Sequence, residues 1–291
     1  MTPEVLVIIQ ARMESSRFPG KVCSNFLGQS MLLFLLDRLS RMTTPHTLVV
    51  ASPDTPPNHA IADLCAKHGY ACCLVPGDPN DVVTRYISVL GQYDHKTIVR
   101  VLADSPLTDP VMIDAMVRRH WHQAPPVITD RAVFQGPALT PTVRPCPAQH
   151  TGVALEWGDG LEIDIFDRAM LYTIHHEATL PSDREHVAPY AWRQPARFRT
   201  QTYPCPWDLS WLRVSIDTPE DLALVERVAD HCLWRWGPSF GWHEIVFTAG
   251  HYRDIKRQML QRPHNPAYAA QVAQEQGWPG VPEWRNLRSG R

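Results

Sequence analysis

The feature that most constrains the fold is the alternation of apolar runs with amphipathic helical patterns across residues 5–122. Strands are expected at 5–9, 47–51, 71–75 and 97–102, and helices at 30–41, 58–68, 81–92 and 110–122. Leu32, Leu35, Leu36 and Leu39 share one helical face, and so do Ala60, Ile61, Leu64 and Cys65. The first strand, Val5 to Ile9, is apolar at every position rather than at alternate ones. A strand of that kind is covered on both faces, and strand–helix alternation builds a mostly parallel sheet between helical layers.

The rhythm breaks after residue 122. Residues 125–160 hold Pro137, Pro141, Pro145 and Pro147, a density that excludes a long helix or a central strand. An irregular insertion over the carboxyl edge of the sheet is expected there. Alternation resumes at 160–166 with Leu161, Ile163 and Ile165, read as a strand, followed by a helix at 167–176. Ser182 and Glu185 have the spacing of a capping box ahead of a further helix. A late strand at 212–216 and a helix at 219–234 close a domain of residues 1–236. Residues 237–291 form an extension with a helix candidate at 251–262. It carries Trp278 and Trp284, aromatic side chains that favour packing against the body or a second subunit.

Composition narrows the function classes. A net charge of -2 gives no electrostatic case for nucleic acid or an anionic membrane as main partner. No apolar run reaches the roughly 18 residues of a membrane span. The seven cysteines are odd in number and form no CxxC pair, so reduced thiols in a cytoplasmic protein are expected. Adjacent Cys72 and Cys73 read as core. The 14 histidines show neither HExxH nor zinc-finger spacing.

Between the first strand and first helix lies the loop Gln10 to Lys21, QARMESSRFPGK. Arg12, Arg17 and Lys21 put three fixed cations beside a Pro19-Gly20 turn. The turn lets the backbone approach a ligand closely, and arginine clamps phosphate oxygens in pairs. The loop lacks Walker A spacing. A solvated basic loop is the alternative reading. Its position at the carboxyl end of a strand, where open α/β sheets bind ligands, favours a triphosphate site.

Five segments in order resemble the cytidylyltransferase superfamily, in its branch similar to the spore coat polysaccharide biosynthesis protein SpsF. They are the loop at 10–21, then 77–86 (GDPNDVVTRY), 99–110 (VRVLADSPLTDP), 182–190 (SDREHVAPY) and 215–222 (SIDTPEDL). The superfamily includes the synthetases of CMP-KDO and CMP-sialic acid. The resemblance covers roughly residues 4–230. It implies a Rossmann-like three-layer α/β/α fold with a mostly parallel mixed sheet, of the nucleotide-diphospho-sugar transferase type. It also implies Mg²⁺-dependent transfer of CMP from CTP to a small-molecule acceptor, often by a homodimer. The acceptor class is a sugar acid or another phosphorylated or carboxylated metabolite of polysaccharide or related biosynthesis. The sequence departs from the branch in carrying Ala103 where glycine is usual, and Glu156-Trp157-Gly158 where Tyr-Pro is usual.

On this resemblance Arg12, Lys21 and Asp104 are candidate catalytic residues. Gln10, Ala11, Arg12, Arg17, Lys21, Arg85 and Asp104 are candidates for nucleotide binding. Arg100, Asp164, Arg184, Glu185 and His186 are candidates for the acceptor, and Asp104 and Asp217 for the metal. Hard cations take carboxylates, and both aspartates follow expected strand ends. Each also has the look of a helix cap or Asx-turn. Asp81 and Arg85 have i,i+4 spacing for an ion pair, the alternative to a nucleotide role for Arg85. Arg100 is a charge inside an apolar strand and needs a partner or a site. Two other functions compete. A glycosyltransferase of the same fold would need an Asp-x-Asp metal motif, which Ala103-Asp104-Ser105 lacks. A non-catalytic nucleotide-binding module would tolerate changes at Asp104 and Asp217.

Overall fold

The computed structural model describes residues 4–122, 148–154, 156–194 and 196–261. The first strand, β1 (Val5–Gln10), leads into the basic loop and a two-residue-arm hairpin, β2 (Asn25–Phe26) and β3 (Gln29–Ser30). Then come α1 (Met31–Leu39), β4 (His46–Pro53), α2 (His59–Lys67), β5 (Ala71–Val75), α3 (Val82–Leu90), β6 (Thr97–Leu102) and α4 (Pro110–Trp121). The second half holds β7 (His150–Val153), β8 (Asp164–Asp167), α5 (Arg168–Glu177), α6 (Pro181–His186), α7 (Ala188–Trp192) and β9 (Thr200–Tyr203). It ends in α8 (Pro219–Trp236), α9 (Trp242–His251) and α10 (Arg253–Leu260).

Seven strands form one mixed sheet in the order β5-β4-β1-β6-β8-β7-β9. The first four are parallel, β8 runs antiparallel to both neighbours, and β9 is parallel to β7. The chain winds from β1 outward to β5, then returns to place β6 on the other side of β1. That reversal leaves a crevice at the carboxyl end of β1, where the basic loop begins. The fold is the three-layer α/β/α arrangement expected.

Val5, Leu6, Val7, Ile8 and Ile9 have no exposed surface. Their alternation divides the core. Val5, Val7 and Ile9 pack on the face that carries Leu32 and Leu35 of α1, Ile113 of α4 and Val225 of α8. Leu6 and Ile8 pack on the face with Val83 and Tyr86 of α3 and Leu171 of α5. Full burial of each such side chain contributes about 1.5–3 kcal/mol. Helix starts are capped by side chains. Ser30 takes the Leu33 N–H, Asp81 the Thr84 N–H and Asp109 the Val111 N–H. Thr218 and Asp221 form a capping box at α8, with Pro219 in the first turn. Each cap is worth about 1 kcal/mol.

Several expectations need correction. The strand β7 lies within the stretch expected to be irregular, most of which falls outside the described residues. The strand expected at 160–166 begins only at Asp164. Ahead of it Gly160 turns the chain with φ 96°, and the Glu162 carboxylate closes the turn on the Gly160 N–H at 2.6 Å. Residues 212–216 are not a sheet strand. They run extended between two loops, with one bridge from Arg213 to Asp159 and a bond from Ile216 N–H to Asp104 O at 2.8 Å. Ser182 is not the cap of α6: that helix starts at Pro181, so Ser182 sits buried inside its first turn. The late helical candidate at 251–262 corresponds to α10, and α9 ahead of it, ending at His251, was not expected. Phe240, Ile245, Ala249, Ile255 and Met259 join the same core cluster as α1 and α8. Trp278 and Trp284 lie outside the described residues.

Gly160 holds the two loops together. A Cβ there would lie 2.4 Å from Ser215 N and 2.5 Å from Val214 C, on backbone that has no room to move. Gly160→Ala adds left-handed strain to that clash, and a loss of about 2 kcal/mol or more is expected. Denaturant unfolding of the two proteins measures it; equal midpoints would show that the 159–160 and 214–215 segments are not packed in this way.

Candidate active site

Lys21 sits at the centre of the crevice. It is 7% exposed. Its Nζ donates to Asp104 Oδ2 at 2.9 Å, Asp217 Oδ1 at 2.9 Å and Ile216 O at 2.7 Å. Burial alone would pull this ammonium's pKa down, but Asp104 and Asp217 outweigh it and hold it above the usual lysine value. Asp217 also meets Arg17 at 2.9 Å and Arg213 at 2.8 Å. Burial pushes its carboxyl up, and Lys21, Arg17 and Arg213 bring it below the ordinary value. Neither aspartate is a helix cap: Asp109 caps α4 and Thr218 caps α8. The carboxylates are therefore free to face the crevice.

The loop that delivers Lys21 is fastened from behind. Met13 N–H donates to Asn58 Oδ1 at 2.7 Å, and Asn58 holds both oxygens of Glu14. Gly20 adopts φ 74° and returns its N–H to Met13 O at 2.8 Å. Arg12 donates to Asn80 Oδ1 at 2.8 Å and lies 3.6 Å from Glu185. Arg12 and Arg17 keep side-chain exposures of 39% and 43%, so both remain open to an incoming anion.

A second cluster lies on the opposite side of the strand ends. Gln10 Oε1 accepts from Tyr86 OH at 3.1 Å and from Arg100 Nε at 3.1 Å. Arg100 pairs with Asp164 at 2.9 Å, and Asp164 pairs in turn with His150 Nε2 at 2.9 Å. All of these except Tyr86 and His150 line one cleft with Lys21, Asp104 and Asp217; its volume is about 700 Å³. That size suits a nucleotide-sized ligand.

Of the candidate residues, Gln10, Ala11, Arg12, Arg17, Lys21, Arg85, Arg100, Asp104, Asp164, Glu185, His186 and Asp217 line this cleft. Arg184 does not. Its guanidinium is bonded to Asp81 and Thr84 of the α3 start and to His175 O of α5, so it ties two helices together. Asp81 thus pairs with Arg184 rather than Arg85, and Arg85 instead donates to Pro79 O at 2.5 Å. Sequence reasoning missed Arg213, which bonds Asp159 and Asp217 and lies 3.8 Å from Asp221. The signal was present: Arg213 interrupts an apolar stretch as Arg100 does.

The wall near residues 153–163 is carboxyl-lined. Asp159 and Glu162 face the cleft beside Trp157 and Ile163. Among the described residues no group of three or more His, Cys, Asp or Glu side chains converges as a metal cage. Asp104 and Asp217 still suit a hard cation. Both reach a single cationic atom, Lys21 Nζ, at 2.9 Å, and Mg²⁺ takes one or two carboxylates with the rest from phosphate and water.

The cytidylyltransferase family model matches residues 6–232. The chain belongs to that family. This nucleotidyltransferase is 27% identical over 233 residues to the spore coat polysaccharide biosynthesis protein SpsF of Bacillus subtilis, covering 77% of this chain and 86% of the relative. It is 32% identical over 137 residues to 3-deoxy-manno-octulosonate cytidylyltransferase of Syntrophotalea carbinolica, covering 47% of this chain and 50% of that one. A solved cytidylyltransferase from Leptospira borgpetersenii superposes with TM-score 0.71 at 23% identity, covering 90% of this chain and 98% of that chain. The same fold recurs, at TM-score 0.53 and 14% identity, in CMP:2-keto-3-deoxy-manno-octonic acid synthetase complexed with CTP, over 78% of this chain and 99% of that chain.

In this cytidylyltransferase Glu162 titrates abnormally. Withdrawal from bulk water, reinforced by Asp159 and Asp104, pushes its carboxyl up to about 8 from an ordinary 4.5. Between these values the folded chain holds a proton that the unfolded chain releases, so this group makes stability fall as pH rises. Glu162→Gln mimics the protonated acid and lacks that slope. The melting temperatures of wild type and variant should be close at pH 5, with the variant gaining steadily to pH 8.5. A constant difference across that range would mean that Glu162 ionises like an exposed carboxylate.

Proposed function

We propose that the cleft catalyses Mg²⁺-dependent transfer of CMP from CTP to a small acceptor with release of pyrophosphate. The single observation behind this reading is the Lys21 clamp between Asp104 and Asp217 beneath a loop with two open arginines. An acceptor oxygen attacks the α-phosphorus, its proton passes to solvent or a cleft base, and the bond to the bridging oxygen of pyrophosphate breaks. Such transfers depend on alignment and charge neutralisation more than on a protein nucleophile. Arg12, Arg17 and Lys21 hold the triphosphate and the departing pyrophosphate. Asp104 and Asp217 hold Mg²⁺, which when bound supplies charge neutralisation at the phosphate oxygens. Family membership supports CTP as donor.

The acceptor in this reading is a sugar acid, or another phosphorylated or carboxylated metabolite, for polysaccharide or related biosynthesis. SpsF and the 3-deoxy-manno-octulosonate enzymes, both relatives by sequence, support that class. The acceptor lies along the wall of Asp159, Glu162 and Trp157, with Glu185 and His186 at the other rim.

Pyrophosphate release is the direct test, with CTP, UTP, ATP and GTP each offered to a panel of sugar acids and phosphorylated metabolites. Acceptor-dependent release with CTP is expected, with loss on chelation of divalent cations. Lys21→Ala and Asp104→Asn should each lower it about 100-fold or more. Melting curves check folding, because Lys21→Ala leaves two carboxylates without their shared cation. Folded variants turning over at the wild-type rate would refute the assigned roles.

A further inference from the structure

Gln10 is a cleft residue whose amide orientation is fixed by its neighbours. Its side-chain oxygen is identified by Arg100, because a guanidinium only donates. Tyr86 OH reaches the same oxygen. Tyr86 is fully buried, and that burial pushes its hydroxyl well above the usual tyrosine range, so it stays protonated as a donor. Arg100 is fastened to Asp164, and Asp164 to His150. Burial would raise the Asp164 carboxyl, but His150 and Arg100 outweigh it and keep it ionised. The amide cannot flip without opposing its own NH₂ to the Arg100 guanidinium, which only donates. Its NH₂ has no hydrogen bond to the described residues, and Gln10 lines the cleft.

The location says what this donor meets. Side chains alternate along β1, so Gln10 points to the same face as Ile8 and Leu6, toward Tyr86 of α3. Val22 and Ile216, the neighbours of Lys21 and Asp217, belong to the core on the other face. The cleft therefore crosses the strand ends from the phosphate-binding centre to Gln10. There Pro79, Val82 and Leu102 provide apolar walls, with Leu102 directly beside Gln10 in the β1–β6 register. Apolar walls and one fixed polar group are what a flat heterocycle needs for stacking and edge recognition.

We infer that Gln10 reads the base, donating its amide N–H to the N3 edge of cytosine. This rests on the cytidylyltransferase reading above. Cytosine N3 is an acceptor; the N3 of uracil carries hydrogen and opposes the same donor. With its oxygen already used, Gln10 cannot turn to suit uracil, so the residue rejects UTP as well as accepting CTP.

The experiment is equilibrium binding of CTP and UTP, each with Mg²⁺, to the full chain and to Gln10→Glu and Gln10→Leu, with melting curves for each. Wild type should prefer CTP by about 10-fold or more, the discrimination expected of a well-placed base-edge contact. Gln10→Glu keeps one oxygen for Tyr86 and Arg100 and turns a second toward the base. The CTP:UTP preference should then collapse by about 10- to 100-fold, with UTP gaining. Gln10→Leu should lose CTP affinity without gaining UTP, and serves if the charged variant folds poorly. Wild-type preference retained in a folded variant overturns the inference, as does equal affinity of wild type for both nucleotides. Binding of neither nucleotide by wild type refutes the parent reading instead, and this inference with it.

Discussion

One buried ammonium organises the crevice. Lys21 draws Asp104 from the end of β6 and Asp217 from the 212–217 segment to within 2.9 Å of a single atom. Those residues are 83 and 196 positions away in the chain. Removing one partner of a buried ion pair costs about 3–5 kcal/mol, so the three side chains hold one another in register. The loop can deliver Lys21 only because Gly20 takes a left-handed turn and Asn58 fixes Met13. Arg213 extends the arrangement by linking Asp217 to Asp159 on the opposite wall.

The crevice has two electrostatic characters. At the loop end, open arginines favour anions. Along residues 153–163 the carboxyls are offset, Asp159 by its ion pair with Arg213 and Glu162 by holding its proton. A ligand seated across the strand ends therefore meets positive charge first, then neutral apolar walls at Pro79 and Leu102. This gradient comes from the topology: reversal at β1 brings loops after β1, β5 and β6 to one rim.

Much of this was legible in the sequence. Uninterrupted apolar strands and periodic helices specified the parallel half, because there local pattern and burial agree. The cleft residues of the loop, of 99–110 and of 215–222 were found because those segments resemble the cytidylyltransferase superfamily and carry charges within or just after apolar runs. What was illegible lies where tertiary contacts override local pattern. Leu161 and Ile163 alternate like a strand, yet Gly160 turns the chain to pack on Val214 and Ser215. Ser182 had the spacing of a cap, yet Pro181 starts the helix ahead of it. Arg184 looked like part of a site because of its neighbours Glu185 and His186, but its partner Asp81 is 103 residues away. Short strands such as β9, with half their residues exposed, left no apolar signal.

The chain from Gln10 through Arg100 and Asp164 to His150 crosses from the first strand to β7. Strand register places Arg100 opposite Asp164, and Asp164 opposite Gly152. The parallel half of the sheet, which holds the basic loop, is thus not a self-sufficient cassette. The counterion that holds Arg100, and through it Gln10, is Asp164, 64 positions further along the chain, in the antiparallel part of the sheet. Grafting the first half of this chain onto another second half would transplant the cations of the crevice but leave Arg100, which holds Gln10, without its own counterion.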